Sequence, residues 1–453
     1  MRVLAVIDGE HHPSVARDAL DRLAAEHDVA GVVLAGGGEK LSSSVVADPT
    51  RHYGREVSTG PPEAALRDLA GRVDPEAVVD LSGEPVLGGR ARFELASLAL
   101  ALGLEYRAPG LELRPPPQEP LDFTGPVVAV VGTGKRTGKT AVAGHLAMLL
   151  RRRGVEPVLV AMGRGGPPQP ELVTADERPS LDQLLAIARA GRHAASDYLE
   201  DAVLAEVTTV GCRRCGEGPA GEPYDDNVAA GARLAVEQRP DAILLEGSGA
   251  ALPPLRADRT ICITTASHAD EQALSHLGPY RLLRSQAVIV TGADALAAEE
   301  LRALEQAIAR WCPGPVIAST FAPEPAAPVA PGTRAALFTT AAEDRAPALA
   351  RALAEPGIEL AVVSTALARR DELAGDLDRA VAAGCELFLT ELKAAAIEVV
   401  AERAEREGIP LTFIRNRPVA LAGARDLDAV LTDVYEEACA LAREREPAGA
   451  ARP

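Results

Sequence analysis

Lysine is nearly absent from this chain of 453 residues: only Lys40, Lys135, Lys139 and Lys393 occur, and arginine supplies the remaining 43 of the 47 basic residues. Arginine therefore covers the need for diffuse positive charge, and a retained lysine marks a place where a compact ammonium does what a flat guanidinium fork cannot. Asparagine is rarer still (Asn227 and Asn416), and aromatic residues make up 3%. The matching excess of Ala, Arg, Gly and Pro is a compositional bias that says little about function. The six cysteines are scattered and frame no disulfide scaffold, which places the chain in a reducing compartment, the cytoplasm by default. No apolar run approaches the ~20 residues that span a bilayer. Met1 leads straight into Arg-Val-Leu-Ala-Val-Ile without the charged and apolar regions of a signal peptide. A net charge of −18 argues against nucleic acid or an anionic membrane as partner. An anionic ligand would have to be met by basic groups gathered locally.

What is present is alternation. Apolar runs of four to six residues alternate with longer helical patterns, the signature of βαβ units and parallel sheets, in a chain too long for a single core. Three α/β blocks separate. Residues 1–120 carry strands at Val3–Ile7, Ala30–Leu34 and Ala77–Leu81 and close at Arg114-Pro-Pro-Pro-Gln-Glu-Pro120. Residues 121–325 carry strands from Val127–Val131 to Val316–Ser319. A second proline-rich linker is expected at Ala322–Pro331, followed by a block over 332–445 with strands near Ala336–Phe338, Glu359–Val363, Leu387–Leu389 and Thr412–Ile414. Beyond Arg443 the tail is charged and small.

Two of the four lysines fall in Gly132-Thr-Gly-Lys-Arg-Thr-Gly-Lys139-Thr140, between the strand pattern Val127–Val131 and the helical pattern Ala141–Arg153. This is the strand–loop–helix setting of a phosphate-binding loop. Gly132, Thr133, Gly134, Gly138 and Ala141 offer backbone to phosphate oxygens, Lys139 bridges the outer phosphates, and Thr140 presents a hydroxyl to Mg²⁺. Lys135 and Arg136 stand at the crest, where transferred phosphoryl charge must be held, and with Lys139 they are the candidate catalytic cations. The metal's carboxylate partner is Glu246, at the end of Asp241-Ala-Ile-Leu-Leu-Glu246 before a glycine turn. Val290-Thr-Gly-Ala-Asp294 lacks the Asn and Lys with which GTPases read guanine, so ATP is favoured.

Other cations sit after strands, at the sheet edge that faces ligand in parallel α/β folds. Arg164, Lys393, Arg415, Arg417 and, in the first block, Lys40 with His11 are the candidate substrate contacts. Surface arginine, helix capping at Thr390 and ordinary turn chemistry are the competing accounts. Cys212-Arg-Arg-Cys215 has no second ligand pair nearby and reads as two plain thiols in a loop.

The glycine offset in the phosphate loop resembles dethiobiotin synthetase and its P-loop relatives. Taken with Ile7-Asp-Gly-Glu-His11, the run at 36–41, Ala194-Ala-Ser-Asp-Tyr-Leu-Glu-Asp201, Gly211-Cys-Arg-Arg-Cys-Gly216, Thr390-Glu-Leu-Lys393 and Arg415-Asn-Arg-Pro418, it resembles the cyclic 2,3-diphosphoglycerate synthetase family over nearly the whole chain. The resemblance implies a central P-loop NTPase domain flanked by Rossmann-like N- and C-terminal domains. It also implies ATP and Mg²⁺ as cofactors with K⁺ as activator, a small phosphorylated substrate, and a cytoplasmic homo-oligomer such as a dimer. The implied reaction joins the two phosphates of 2,3-diphosphoglycerate in an anhydride, releasing ADP and phosphate. A different phosphoglycerate kinase, a dethiobiotin-synthetase-like ligase and a P-loop switch protein remain the alternatives.

Overall fold

The short aliphatic runs become strands because they are buried on both faces, and helices pack on either side of them. The computed structural model describes residues 1–445; the tail beyond them lies outside the described residues. The first sheet holds β1 (Arg2–Ile7), β2 (Asp28–Leu34), β3 (Val57–Ser58), β4 (Ala77–Asp80), β5 (Glu105–Ala108) and β6 (Leu111–Leu113), in the order β3-β2-β1-β4-β5-β6. All pairings are parallel except the closing β5–β6 hairpin. The order reverses between β1 and β4, which opens a crevice at their carboxyl ends. Asp8 and Asp80 stand there.

The second sheet contains β7 (Val127–Gly132), β8 (Pro157–Gly163), β9 (Glu171–Val173), β10 (Thr208–Cys215), β11 (Asp225–Asp226), β12 (Ala242–Glu246), β13 (Arg259–Thr265), β14 (Ala287–Thr291), β15 (Val316–Pro325), β16 (Arg334–Phe338), β17 (Glu359–Ser364), β18 (Leu387–Thr390) and β19 (Leu411–Ala420). Its order is β11-β10-β8-β12-β7-β13-β14-β15-β19-β18-β16-β17, with β9 paired to β10. β7 lies between β12 and β13, parallel to both, so the loop that follows it opens at the centre of the sheet.

The three expected α/β blocks are present, but the second and third share one sheet. β15 pairs in parallel with β14 over Val316–Ala318, then runs on antiparallel to β19 from Ser319 to Pro325. The linker expected at 322–331 is therefore strand in its first part. Proline is tolerated there for a geometric reason. Ala326 N–H donates to Phe413 O at 2.8 Å, so the even positions face β19 and the missing N–H groups of Pro323 and Pro325 point outward. The last helix, Leu427–Arg445, also belongs to both blocks: Leu427, Leu431 and Val434 pack in one core with Val142 and Leu146 of the helix after β7.

The first sheet is joined to the second by packing. Helix Gly89–Ala101 brings Phe93 edge-on to His276, with ring centroids 5.6 Å apart. Arg310 reaches Glu63 at 2.6 Å. The segment after β6 is tied down as Gln118 donates to Pro253 O and Leu255 O.

Candidate active site

Gly132 leaves β7 buried, and the loop turns back to start helix Lys139–Arg152. Two residues take left-handed backbone, Arg136 at φ 60° and Gly138 at φ 92°. At Gly138 glycine is required twice over, since a Cβ there would come within 2.4 Å of Phe321 on β15. The extended β15 thus backs the phosphate loop. Thr133 anchors the other side, its hydroxyl donating to Thr264 at 2.9 Å. Gln272 packs over Gly134.

Lys139 is buried, and its ammonium curls onto its own loop, donating to Gly134 O at 2.8 Å and Thr137 Oγ1 at 3.3 Å. Burial pulls its pKa down, opposed by the Glu246 and Asp197 carboxylates. It occupies the cradle a phosphate would fill. Lys135 and Arg136 are exposed at the crest.

Thr140 Oγ1 donates to Glu246 Oε1 at 2.6 Å, joining positions 106 residues apart. Glu246 is buried, and its second oxygen has no partner among the described residues. Burial pushes its carboxyl up to about 8, with Asp197 adding to the effect and Thr140 and Lys139 opposing it. An orphaned carboxylate oxygen beside a helix-start hydroxyl fits a hard cation such as Mg²⁺. No three His, Cys, Asp or Glu side chains among the described residues could hold a metal ion unaided. A cation on Thr140 and Glu246 would therefore take its other ligands from phosphate and water.

Three carboxylates that sequence reasoning did not assign complete the surroundings. Helix Asp197–Leu204 carries Asp197, Glu200 and Asp201 on one face, at helical spacings of three and four. Asp201 is buried, no amide, hydroxyl or ammonium among the described residues donates to its Oδ2, and its carboxyl lies within hydrogen-bond reach of that of Glu246. Burial, then Glu246 and Glu200, drive it well above the ordinary carboxylate range. Burial lifts Glu200 to about 7 against the pull of Lys393. The available signal was the Asp-x-x-Glu-Asp spacing itself.

Lys393 crosses from the third block to meet them, its ammonium 3.0 Å from Glu200 Oε1. Burial lowers its pKa, but Glu200 and Glu391 outweigh that and hold it raised. Thr390 is the last residue of β18 and does not cap the next helix, whose wide first turns begin at Ala396. Glu391, also unassigned from sequence, is the hub beside Lys393. It accepts from Thr339, Thr340 and Asn416 Nδ2, the last at 2.9 Å. Lys393 and these donors keep its carboxyl below the usual range despite burial.

Arg415 and Arg417, expected after a strand end, lie inside β19, which runs on to Ala420 in its ladder with β15; two positions apart, they project on the same side and share Glu324, at 3.2 and 2.5 Å. With Thr140, Met148, Glu200 and Asp201 they line a cleft open to solvent. Arg164 follows β8 and stands 3.7 Å from Glu217, close enough to oppose the charge on Lys139. Lys40 and His11 lie at the crevice of the first sheet instead. There Lys40 pairs with Glu10 at 2.5 Å and His11 Nδ1 with Asp8 at 2.8 Å. No hydrogen bond or ion pair among the described residues links that cluster to the phosphate loop. Cys212 and Cys215 are on β10, not in a loop, one buried and one exposed, so they do not converge on a shared ligand.

The sequence that builds this site has known relatives. Three domain descriptions of cyclic 2,3-diphosphoglycerate synthetase match in order: the N-terminal domain at 2–114, the P-loop domain at 127–321 and the C-terminal domain at 327–417. The protein of that name from Rubrobacter xylanophilus is 44% identical over 93% of this chain and 95% of its own. The chain belongs to the cyclic 2,3-diphosphoglycerate synthetase family. Synthetases of that family from Thermococcus gammatolerans (40% identical, covering 94% of this chain and 96% of theirs) and Methanothermobacter thermautotrophicus (36%, covering 97% of each) align as fully. Family membership makes the chain an enzyme of the synthetase type with a P-loop nucleotide site, and the loop and the Thr140–Glu246 pair lie inside the matched P-loop domain.

Proposed function

We propose that this enzyme uses ATP and Mg²⁺ to close an anhydride between the two phosphates of 2,3-diphosphoglycerate. The observation that carries this reading is the Thr140–Glu246 contact beside the buried Lys139, within a chain related end to end to synthetases of that name. An oxygen of one substrate phosphate attacks the γ-phosphorus, and the bond to ADP breaks. An oxygen of the other substrate phosphate then attacks the phosphorus of the first, and inorganic phosphate leaves. No general base is needed, because the attacking oxygens are already ionised.

Two anions must be brought together, so repulsion is the chief barrier, and this chain's cations lower it. Lys139 leaves Gly134 O for the outer phosphates. Lys135 and Arg136 hold the group in transit at the crest, and Arg164 faces the same space. Arg415 and Arg417, at the cleft that opens beside Thr140, orient the substrate phosphates, while Glu324 keeps their forks in place. Mg²⁺, when bound, neutralises phosphate charge as a Lewis acid. Incubation with ATP, Mg²⁺ and 2,3-diphosphoglycerate should produce the ³¹P resonance of a cyclic anhydride together with ADP. ADP formed without that resonance would make the enzyme a kinase instead.

A further inference from the structure

We propose that Arg345 sets the base preference of the nucleotide site: by occupying Asp294 it denies guanine a reader, so that the third block selects adenine for the phosphate loop. The proposal deepens the ATP reading above and rests on it.

β14 ends at Thr291, whose hydroxyl lies 3.0 Å from Thr137 O in the phosphate loop and 3.2 Å from Thr264 O. Gly292 then turns the chain with φ 65°, and the short turn Ala293–Ala295 presents Asp294. The segment is thus tied to the phosphate loop at the place where GTPases read guanine. Of the guanine-reading pattern it lacks the Asn and the Lys, but it keeps the aspartate. An ionised carboxylate only accepts hydrogen bonds. It would therefore take the N1–H and the exocyclic amino group of guanine, and it would oppose the lone pair that adenine carries at N1. Left to itself, Asp294 favours the wrong base for an ATP enzyme.

Asp294 is not left to itself. Arg345 Nη2 donates to Asp294 Oδ2 at 2.6 Å and to Thr320 Oγ1 of β15 at 3.3 Å. Arg345 closes the turn Glu343–Arg345 ahead of helix Ala346–Ala354, inside the matched C-terminal domain. The two side chains are 29% and 31% exposed, so the pair is sheltered from water but open enough to meet a base. Thr320 precedes Phe321, the residue that backs Gly138, so the arginine is held in register with the phosphates. A guanidinium laid on Asp294 turns an accepting edge into a donating one. Adenine N1 accepts and is welcomed there, whereas the N1–H of guanine meets another donor. Selectivity then comes from what is set against the wrong base. The competing account is a plain tie between blocks, to which the identity of the base is indifferent.

Calorimetric titration of the full-length protein with ADP and with GDP, in Mg²⁺ and without phosphoglycerate, separates the two. Wild type should bind ADP more tightly. Arg345→Ala uncovers Asp294 and should narrow the ADP preference by about tenfold or more, through tighter GDP binding. Adding Asp294→Ala to that variant should abolish the gain for GDP. Should Arg345→Ala fail to fold, Arg345→Gln carries the same expectation, because its neutral amide cannot hold the carboxylate. An unchanged ratio of ADP to GDP affinity in the folded single variant would overturn the proposal and leave the plain tie. So would a gain for GDP that survives in the double variant. Wild type that prefers GDP would sink both this proposal and the ATP reading. Because no phosphoglycerate is present, a failure to form the cyclic anhydride leaves these ratios untouched.

Discussion

Lys135 and Lys139 share one loop but face different surroundings, so their removal should have different consequences. Lys139 is buried in the cradle, whereas Lys135 stands exposed at the crest. Lys139→Ala should abolish ADP binding in calorimetry. Lys135→Ala should leave ADP affinity near wild type while lowering kcat by about 10²–10³-fold, the usual cost of one transition-state donor. Full turnover in the second variant would remove Lys135 from the transfer step. These lysines were legible in the sequence because strand, loop and helix are contiguous there. Glu246 could be read too, since an acid ending an apolar strand before glycine has few other settings. Asp201 could not. Its importance comes from which face of its helix packs beside Glu246, and that is fixed only by tertiary folding. Glu391 was hidden for the same reason: Thr339 and Thr340 are brought to it from the end of β16 and Asn416 from within β19.

At the scale of elements, the sequence misled most where proline is dense. The run from Ala322 to Pro331 has the composition of a linker, yet β15 continues through Pro325, because its two prolines fall on the outward-facing positions. Ala322, opposite Arg417, faces inward. Ala322→Pro should therefore break the ladder and cost about 1–3 kcal/mol in urea unfolding, as expected for a buried partner left unpaired. Pro323→Ala should be nearly neutral. Equal effects from the two substitutions would sink this account of the strand. β10 was missed altogether, since Gly211-Cys-Arg-Arg-Cys215 mixes charge and glycine in a way that hides a strand flanked by β8 and β9.

Across the whole molecule, the buried acids tie stability to pH. Glu200 titrates near 7 and Glu246 near 8 in the folded chain, against ordinary values of 4.5. Between those limits the folded state holds protons that the unfolded state has released, so this contribution to stability is complete at low pH and lost as pH rises. In EDTA, the melting-temperature difference between Glu200→Gln and wild type should therefore grow as pH rises from about 5 to about 8. A difference that stays flat would contradict the assignment. No helix among the described residues is long and apolar enough to cross a membrane. The shared strand β15 has a mechanical consequence as well. A hydrogen-bonded ribbon that crosses from block to block acts as a stiff beam, and helix Leu427–Arg445 ties the chain's end back onto β7, β13 and the helix after the phosphate loop. The phosphate loop and the arginines of β19 therefore cannot swing apart as independent bodies. The N-terminal sheet is joined to this beam by a continuous apolar seam, where Leu95 and Leu98 of helix Gly89–Ala101 share one buried core with Leu277, Tyr280 and Leu282. A load on the phosphate loop is therefore spread through all three blocks rather than taken up by one of them.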